Sequence, residues 1–170
     1  TLFRSEKAVN PLKEDYEKYA AEIKAQFDQR IKDYGRVSNE EAMNNNTSSV
    51  VFEIESKFSD KIKEFECDFN SIDESVYFYK GVINFDNGTF YNGTWNYNSK
   101  KHGKGIFIKA DGSKYQGEFV DDRIEGRGYY IDSKGNFYVG EFKNGQACGY
   151  GEILNHEIKD YHYKGQFFND

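Results

Sequence analysis

The sequence predicts an α+β protein in which long amphipathic helices precede a single-layer array of antiparallel β-hairpins. The second half carries glycine pairs at a constant interval of 23 residues: Gly103 and Gly105, Gly126 and Gly128, Gly149 and Gly151. The first half carries apolar side chains at intervals of three and four residues, which is the period of a helix. The constant 23-residue period of the glycine pairs indicates a repeat array. We therefore expect an extended arm at 1–10, two helices within 11–75, and a repeat domain at 76–170.

A second motif, aromatic-x-Gly-x-aromatic, recurs in register with the glycine pairs. Its four copies run from Tyr91 to Trp95, Tyr115 to Phe119, Tyr138 to Phe142 and Tyr163 to Phe167. Successive side chains of a strand alternate between faces, so the two aromatics and the glycine of each copy share one face. Asn87-Gly88 and Asp111-Gly112 are two-residue turn signals, so each unit is predicted to be one hairpin. A lone hairpin is not stable in water, and the aromatics are therefore expected to form a ladder across neighbouring units.

This unit resembles the MORN repeat, whose pattern is roughly Tyr-x-Gly-Glu-Trp/Phe, then Gly-x-Gly, then Asp/Asn-Gly. The likeness extends over about residues 77–170 and includes the segments GKGIFIKADG, GRGYYIDSKG and GYGEILNHEI. The end units depart from the pattern at Tyr79 and Ile158, and terminal repeats are usually atypical. The resemblance implies an antiparallel meander and a scaffold or adaptor role, at cortical or ciliary structures, in membrane junctions or beside lipid kinases. It carries over no catalytic residue.

The first helix is predicted over residues 11–35. Asn10 is its N-cap, Pro11 its first helical position, and Gly35 its C-terminal glycine. One apolar stripe follows it: Leu12, Tyr16, Tyr19, Ile23, Phe27, Ile31 and Tyr34.

A connector containing Asn44-Asn45-Asn46 is predicted near 36–47, and Thr47, Ser48 or Ser49 can cap a second helix that ends near Asn70. The apolar stripe of this second helix is Val51, Ile54, Phe58, Ile62, Phe65 and Phe69. Two arrangements stay open for the helices. They form a hairpin or one of them covers the aromatic face of the sheet, or they dock onto another protein.

Two sets of side chains are candidate partner-binding residues. A single-layer sheet has two faces that one chain rarely covers, and residual exposed aromatic surface marks an interaction site. The aromatic ladder set is Tyr91, Trp95, Tyr115, Phe119, Tyr138, Phe142, Tyr163 and Phe167. The helix-stripe set is Tyr16, Tyr19, Ile23, Phe27, Ile54, Phe58, Ile62 and Phe65.

The net charge of −6 comes from the first half alone. Residues 1–75 hold 11 basic and 17 acidic side chains, whereas residues 76–170 hold 12 of each. Neither half has the basic stripe of a nucleic-acid-binding protein, and charge alone suits neither to anionic lipid. No apolar run is long enough for a transmembrane helix, and no signal peptide is visible.

Catalysis, cofactors and metals have little support in the sequence. His102, His156 and His162 are the only histidines, and no Ser or Cys stands in a nucleophile elbow. Cys67 and Cys148 have neither zinc nor disulfide-framework spacing. We predict no catalytic residue, no cofactor and no metal.

The expected function is therefore a non-catalytic scaffold or adaptor, a structural subunit of a larger protein assembly. Two alternatives stay open: a peripheral module that binds phospholipid, and an accessory subunit of a mitochondrial membrane complex. The resemblance favours a cytoplasmic, cytoskeletal or ciliary location. The start at Thr1 keeps a mitochondrial one open, because a cleaved presequence would explain it, as would a shortened chain.

Overall fold

The computed structural model describes residues 18–19, 21–22, 24–30, 35–73, 77–155, 158 and 161–168. They form a nine-stranded antiparallel sheet in which each strand pairs with its neighbours in chain order, and this confirms the predicted meander. The strands are β1 Gly35–Ser38, β2 Phe78–Phe85, β3 Phe90–Trp95, β4 Lys101–Ile108, β5 Lys114–Val120, β6 Arg123–Ile131, β7 Phe137–Lys143, β8 Gln146–Leu154 and β9 His162–Phe167. No helix occurs in the described part of the second half.

Four helices and a short 3₁₀ turn lie in the described part of the first half. Helix α1 is described at 24–30, with residues 18–19 and 21–22 also helical. The others are α2 Glu40–Asn46, α3 Ser49–Lys57, α4 Ser59–Ile62 and the 3₁₀ turn Lys63–Phe65.

The prediction that Gly35 is a helix C-terminal glycine is wrong, because Gly35 begins β1 and pairs with Phe85 of β2. A side chain at Gly35 would lie 3.1 Å from the Asn84 carbonyl oxygen, so glycine fits because the two backbones come close. Residues 35–38 form a strand because they pair with β2, which is distant in the sequence. The local sequence carries no signal for a strand here. The predicted N-terminus at Asn10-Pro11 lies outside the described residues. So do the stripe residues Leu12, Tyr16, Ile23, Ile31 and Tyr34.

The predicted connector near 36–47 instead contains β1 and α2. The Asn39 side chain caps α2 by accepting the Ala42 N–H at 2.9 Å, and Glu40 and Glu41 occupy the first turn, where the helix dipole favours acidic groups.

The second predicted helix is interrupted. Helix α3 ends at Lys57, Phe58 departs from helical geometry at φ −115° and ψ 26°, and α4 with the 3₁₀ turn continues only to Phe65 rather than to Asn70. Both sides of the interruption contact the sheet. The Phe58 ring stacks on Phe137 at 5.1 Å, and the Phe65 ring lies 5.9 Å from Tyr129.

The two faces of the sheet have different covers. The helix face packs against α2, α3 and the 3₁₀ turn; the opposite face, here the ladder face, carries the repeated aromatics. The helix side chains Met43, Val51, Ile54 and Phe65 are buried with Val82, Phe90, Ile108, Tyr129, Ile131 and Phe137 of the helix face. These helices therefore pack within the chain, but on the face opposite the aromatic ladder rather than on the aromatic face that was expected.

Candidate interaction surface on the ladder face

Three ladder tyrosines, Tyr91, Tyr115 and Tyr138, each lie over a pair of facing glycines, and Tyr163 lies over Gly165. Gly117 of β5 pairs with Gly128 of β6, and the Tyr115 ring covers both. A Cβ atom at Gly117 would lie 2.5 Å from the Tyr115 hydroxyl oxygen. The glycines therefore provide the space into which the tyrosine ring folds, as the motif predicts.

The aromatic rings join one repeat to the next. The Tyr115 ring packs edge to face against Phe119 of its own unit at 5.3 Å and against Phe142 of the next unit at 5.1 Å. The same contact to the next unit joins Tyr91 to Phe119 at 5.2 Å and Tyr138 to Phe167 at 5.0 Å. The ladder thus continues across every described unit boundary.

The tyrosine hydroxyls are held as hydrogen-bond donors. The Tyr115 hydroxyl donates to the Glu118 carbonyl at 3.0 Å, and the Tyr138 hydroxyl donates to the Glu141 carbonyl at 2.9 Å. Burial raises the pKa of Tyr138 to about 12 and raises the pKa of Tyr115 as well. Both phenols therefore stay protonated at neutral pH and support the backbone.

The structure places most of the predicted ladder set inside the protein. Six of its eight members are at most 7% exposed: Tyr91, Trp95, Tyr115, Phe119, Tyr138 and Phe142. At the end of the array Tyr163 is 43% exposed, and Phe167 is half-buried. Neighbouring repeats bury these rings because each ring fills the gap beside the next. Their described contacts are therefore within the chain.

Most of the predicted helix-stripe set also makes contacts within the chain. Phe27, Ile54 and Phe65 are buried, and Phe58 and Ile62 are half-buried against the helix face. Phe27 lies on the ladder face, where its ring meets Phe78 and Trp95 at 4.9 and 4.7 Å. Tyr19 is 57% exposed, whereas Tyr16 and Ile23 lie outside the residues that the structure describes.

A row of apolar side chains between the tyrosines remains partly exposed, and its members lie outside the predicted ladder set. Phe107 pairs with Tyr91 and Tyr115, Tyr130 pairs with Tyr115 and Tyr138, and Ile153 pairs with Tyr138 and Tyr163. All three members, Phe107, Tyr130 and Ile153, are half-buried. We call them the flanking row. Their position two residues after each glycine pair is the signal that would have identified them. Among the described helix residues, Phe27 joins the apolar cluster of this face, at its β2–β3 end.

A lysine ammonium group lies among rings near that end. Lys101 Nζ is 5.3 to 5.9 Å from the ring centroids of Phe85, Tyr91, Trp95 and Phe107. It also lies 3.4 Å from Asp122 Oδ1. A cleft of about 170 Å³ opens here, lined by Phe27, Arg30, Phe85, Trp95, Ser99, Lys101 and Asp122. Phe107 of the flanking row therefore lies next to Lys101, which lines a cleft formed by both aromatic and charged side chains.

The two described histidines, His102 and His162, do not share a site. His102, on β4, has its Nδ1 3.3 Å from Asp121 Oδ1 at a hairpin end. His162, on β9, has its Nε2 2.7 Å from Glu152 Oε1. His156 lies outside the described residues. Within the described residues, no group of three or more His, Cys, Asp or Glu side chains is arranged to hold a metal ion. None of the described helices is long and apolar enough to cross a membrane.

A family model described as MORN repeat matches three consecutive segments, at residues 91–114, 115–137 and 138–154. Each segment begins at a ladder tyrosine, so the match has the same period as the aromatic ladder. No curated protein matches the chain.

Proposed function

Because residues 91–154 are three consecutive MORN repeats, which are interaction repeats rather than catalytic units, we propose that this chain is a non-catalytic scaffold or adaptor subunit. The helix face of its sheet is packed against its own helices. The flanking row on the ladder face keeps apolar surface exposed between rigid, buried rings. This difference between the two faces is the observation that supports docking of a protein partner on the ladder face.

The chemistry of the ladder face limits the kind of partner. Phe107, Tyr130 and Ile153 provide an apolar row, and Lys101 adds a cation among the rings near its β2–β3 end. Such a surface suits an extended or helical segment whose apolar side chains follow the row and whose acidic side chain reaches Lys101. Residues 76–170 have equal numbers of acidic and basic side chains, so apolar burial would dominate the affinity.

For the assembly and its location, the proposal extends to the cortical cytoskeleton or a cilium, following the repeat class. An accessory role in a mitochondrial membrane complex is the alternative. Each of these assemblies would require a partner protein on the ladder face.

The test compares two aromatic-to-glutamate variants of the tagged full-length chain in cells of the source organism. Tyr130→Glu alters the flanking row beside Lys109, whose Nζ lies 3.4 Å from the Tyr130 hydroxyl and offsets the new charge. Phe52→Glu is the control, because Phe52 is 44% exposed on α3. We expect cross-linking and quantitative mass spectrometry to show partners that are lost with Tyr130→Glu and retained with Phe52→Glu, while circular dichroism is the same for both. An identical partner set for both variants would contradict the proposal.

Vesicle flotation separates the phospholipid alternative from protein docking. Vesicles with and without phosphatidylserine are mixed with the purified chain at low and high salt. The balanced charge of residues 76–170 predicts no flotation that depends on anionic lipid and salt. Salt-sensitive flotation that Tyr130→Glu abolishes would show that the ladder face binds a membrane surface rather than a protein partner.

A further inference from the structure

The cleft at the β2–β3 end of the ladder face contains two hydrogen-bond donors that are not fully used. The Lys101 ammonium group has three N–H donors. Among the described residues its side-chain acceptor is Asp122 Oδ1 alone, at a long 3.4 Å. Trp95, on the wall of the same cleft, is 3% exposed, and its indole N–H has no acceptor in the described part of the chain. Polar groups inside proteins are normally hydrogen-bonded, so these two donors indicate that an acceptor is missing.

The charges of the cleft favour an anionic acceptor. Among its described lining side chains, Arg30 and Lys101 are cations and Asp122 is an anion. The Lys101 side chain is 19% exposed, whereas the Asp122 side chain is 46% exposed. Solvent screens an exposed charge more than a buried one. An anion held inside the cleft would therefore interact with Lys101 more strongly than Asp122 does.

The walls of the cleft favour an apolar group attached to that anion. The rings of Phe27, Phe85 and Trp95 form these walls, and Lys101 Nζ lies 5.3 and 5.9 Å from the Phe85 and Trp95 centroids. The cleft has a volume of about 170 Å³. An apolar cavity of about 150 Å³ is large enough for a benzene ring. The cleft therefore has room for one apolar side chain of that size, and an inorganic anion would leave its walls uncovered.

We propose that this cleft binds a carboxylate joined to an apolar group, namely an acidic residue of a docked protein partner together with the apolar residue beside it. The carboxylate accepts hydrogen bonds from Lys101 Nζ and from the Trp95 indole N–H, and the apolar group packs on the rings of Phe27 and Phe85. Asp122 holds the Lys101 ammonium group until this ligand binds. The inference rests on the proposed docking on the ladder face, and it names what the partner inserts at the β2–β3 end.

An NMR titration of the isotope-labelled full-length chain with phenylpropionate tests the cleft. Trp95 is the only tryptophan, so its single indole N–H resonance reports on this site. We expect the resonance to shift saturably, with a dissociation constant on the order of millimolar, which is usual for a ligand of this size. Phenylpropanol is the control ligand, because it has the same ring and chain without the carboxylate. It should bind roughly tenfold more weakly, since it lacks the charged hydrogen bond to Lys101.

Two substitutions should change the affinity for phenylpropionate in opposite directions. Lys101→Met keeps an apolar stem and removes the ammonium group, so the dissociation constant should rise roughly tenfold. Asp122→Asn removes the competing carboxylate, so the dissociation constant should fall roughly two- to fivefold. The new amide oxygen can still accept the Lys101 backbone N–H, which Asp122 Oδ1 accepts at 2.9 Å, and asparagine tolerates the positive φ of 72°. Phe52→Glu, on α3, should leave the dissociation constant unchanged.

Four results would overturn the inference. They are no saturable shift of the Trp95 resonance, equal binding of phenylpropionate and phenylpropanol, unchanged affinity in a folded Lys101→Met variant, and an Asp122→Asn variant that binds no more tightly than wild type. The amide spectrum of each variant shows whether it is folded. If Lys101→Met does not fold, the comparison of Asp122→Asn with wild type decides.

Failure of this inference is distinguishable from failure of the docking proposal, because the Tyr130→Glu experiment uses no small ligand. Partners lost with Tyr130→Glu, without phenylpropionate binding, would retain docking on the ladder face and remove the carboxylate site. Phenylpropionate binding, with an identical partner set for Tyr130→Glu and Phe52→Glu, would retain the carboxylate site and remove docking on the flanking row.

Discussion

The Tyr115 ring lies edge-on to the Phe142 ring, with centroids 5.1 Å apart and planes at 84°. The two residues are 27 positions apart and belong to consecutive repeats. Because the same contact recurs between the other units, each repeat is stabilised mainly by the one beside it, as in other repeat proteins. Losing one ring should therefore weaken one boundary and the units that depend on it.

Phe142→Ala should destabilise the fold by about 3–5 kcal/mol, because removal of a buried phenyl ring loses transfer free energy and leaves a cavity. Phe142 is 7% exposed and contacts Tyr115 and Tyr138, both at 5.1 Å. Urea unfolding followed by tyrosine and tryptophan fluorescence measures the change. Phe168→Ala is the control, since Phe168 is 81% exposed and should change stability by only about 0.5 kcal/mol or less. Equal effects at the two positions would show that the ring contact contributes little.

Gly117→Ala should be more destabilising than Gly145→Ala. At Gly117 the new methyl group would lie 2.5 Å from the Tyr115 hydroxyl and 2.6 Å from the Gly128 Cα, so the ring must move and the β5 and β6 backbones must separate. At Gly145 nothing lies within 4 Å, and the cost is the positive φ of 78° alone, about 1–2 kcal/mol. Thermal unfolding of the two variants beside wild type gives the comparison. A larger loss at Gly145 would mean that the ring does not lie over the glycine pair.

The repeat half of the fold was predictable because its signals are periodic. Tyr115, Gly117 and Phe119 show by spacing alone that they share a face, and the same spacing recurs in each unit. That spacing also identifies the contact between tyrosine and glycine, so the ladder residues could be selected from the sequence. Their burial could not be, because it depends on how closely neighbouring units approach.

The first half was less predictable because tertiary contacts decide it. Gly35 lies where a helix C-terminal glycine is expected, yet pairing with Phe85 makes it part of a strand. Helix α2 did have a local signal, since Asn39 precedes Glu40 and Glu41 as a cap precedes an acidic first turn. The interruption at Phe58 has none, because the amphipathic stripe continues through it.

The stability of the chain should depend on Glu152 in acid. Its side chain is 8% exposed, and Oε1 accepts hydrogen bonds from Lys61 Nζ at 2.5 Å and His162 Nε2 at 2.7 Å. Burial acts to raise the pKa of Glu152, but the hydrogen bonds and charges of Lys61 and His162 outweigh it, so the pKa lies below its ordinary 4.5. A carboxylate with a depressed folded-state pKa stabilises the fold above its unfolded pKa, and this contribution is lost as pH falls through the folded value.

Glu152→Gln should therefore be less stable than wild type at pH 7, and the difference should shrink below about pH 4.5. We expect about 1 kcal/mol at neutral pH, since Lys61 is 40% exposed and solvent screens its charge. Urea unfolding over a pH series measures both proteins. Other acidic groups, such as Asp111, also have lowered pKa values, and they affect both proteins equally. A difference that is independent of pH would contradict the assignment.

The Glu55–Tyr129 contact should couple α3 to the helix face more strongly than a surface ion pair does. The Tyr129 hydroxyl donates to Glu55 Oε1 at 2.5 Å, Lys114 Nζ meets the same oxygen at 2.5 Å, and both Glu55 and Lys114 are at most 16% exposed. Burial, with the charge of Glu55, raises the pKa of Tyr129, so the hydroxyl remains a donor. A double-mutant cycle of Glu55→Ala and Tyr129→Phe, followed by urea unfolding, should give a coupling free energy of about 1–2 kcal/mol.

The Glu64–Arg127 pair is the matched comparison, because it joins the 3₁₀ turn to the sheet as the Glu55–Tyr129 contact joins α3. Arg127 donates two hydrogen bonds to the Glu64 carboxylate at 2.9 and 3.0 Å, but the two side chains are 50% and 57% exposed. Water therefore screens this pair, and its cycle should give less than about 1 kcal/mol. Salt should weaken the Glu64–Arg127 coupling and leave the Glu55–Tyr129 coupling nearly unchanged, since buried groups are screened much less. If the exposed pair couples as strongly as the buried one, burial of Glu55 is not what fixes α3 on the sheet.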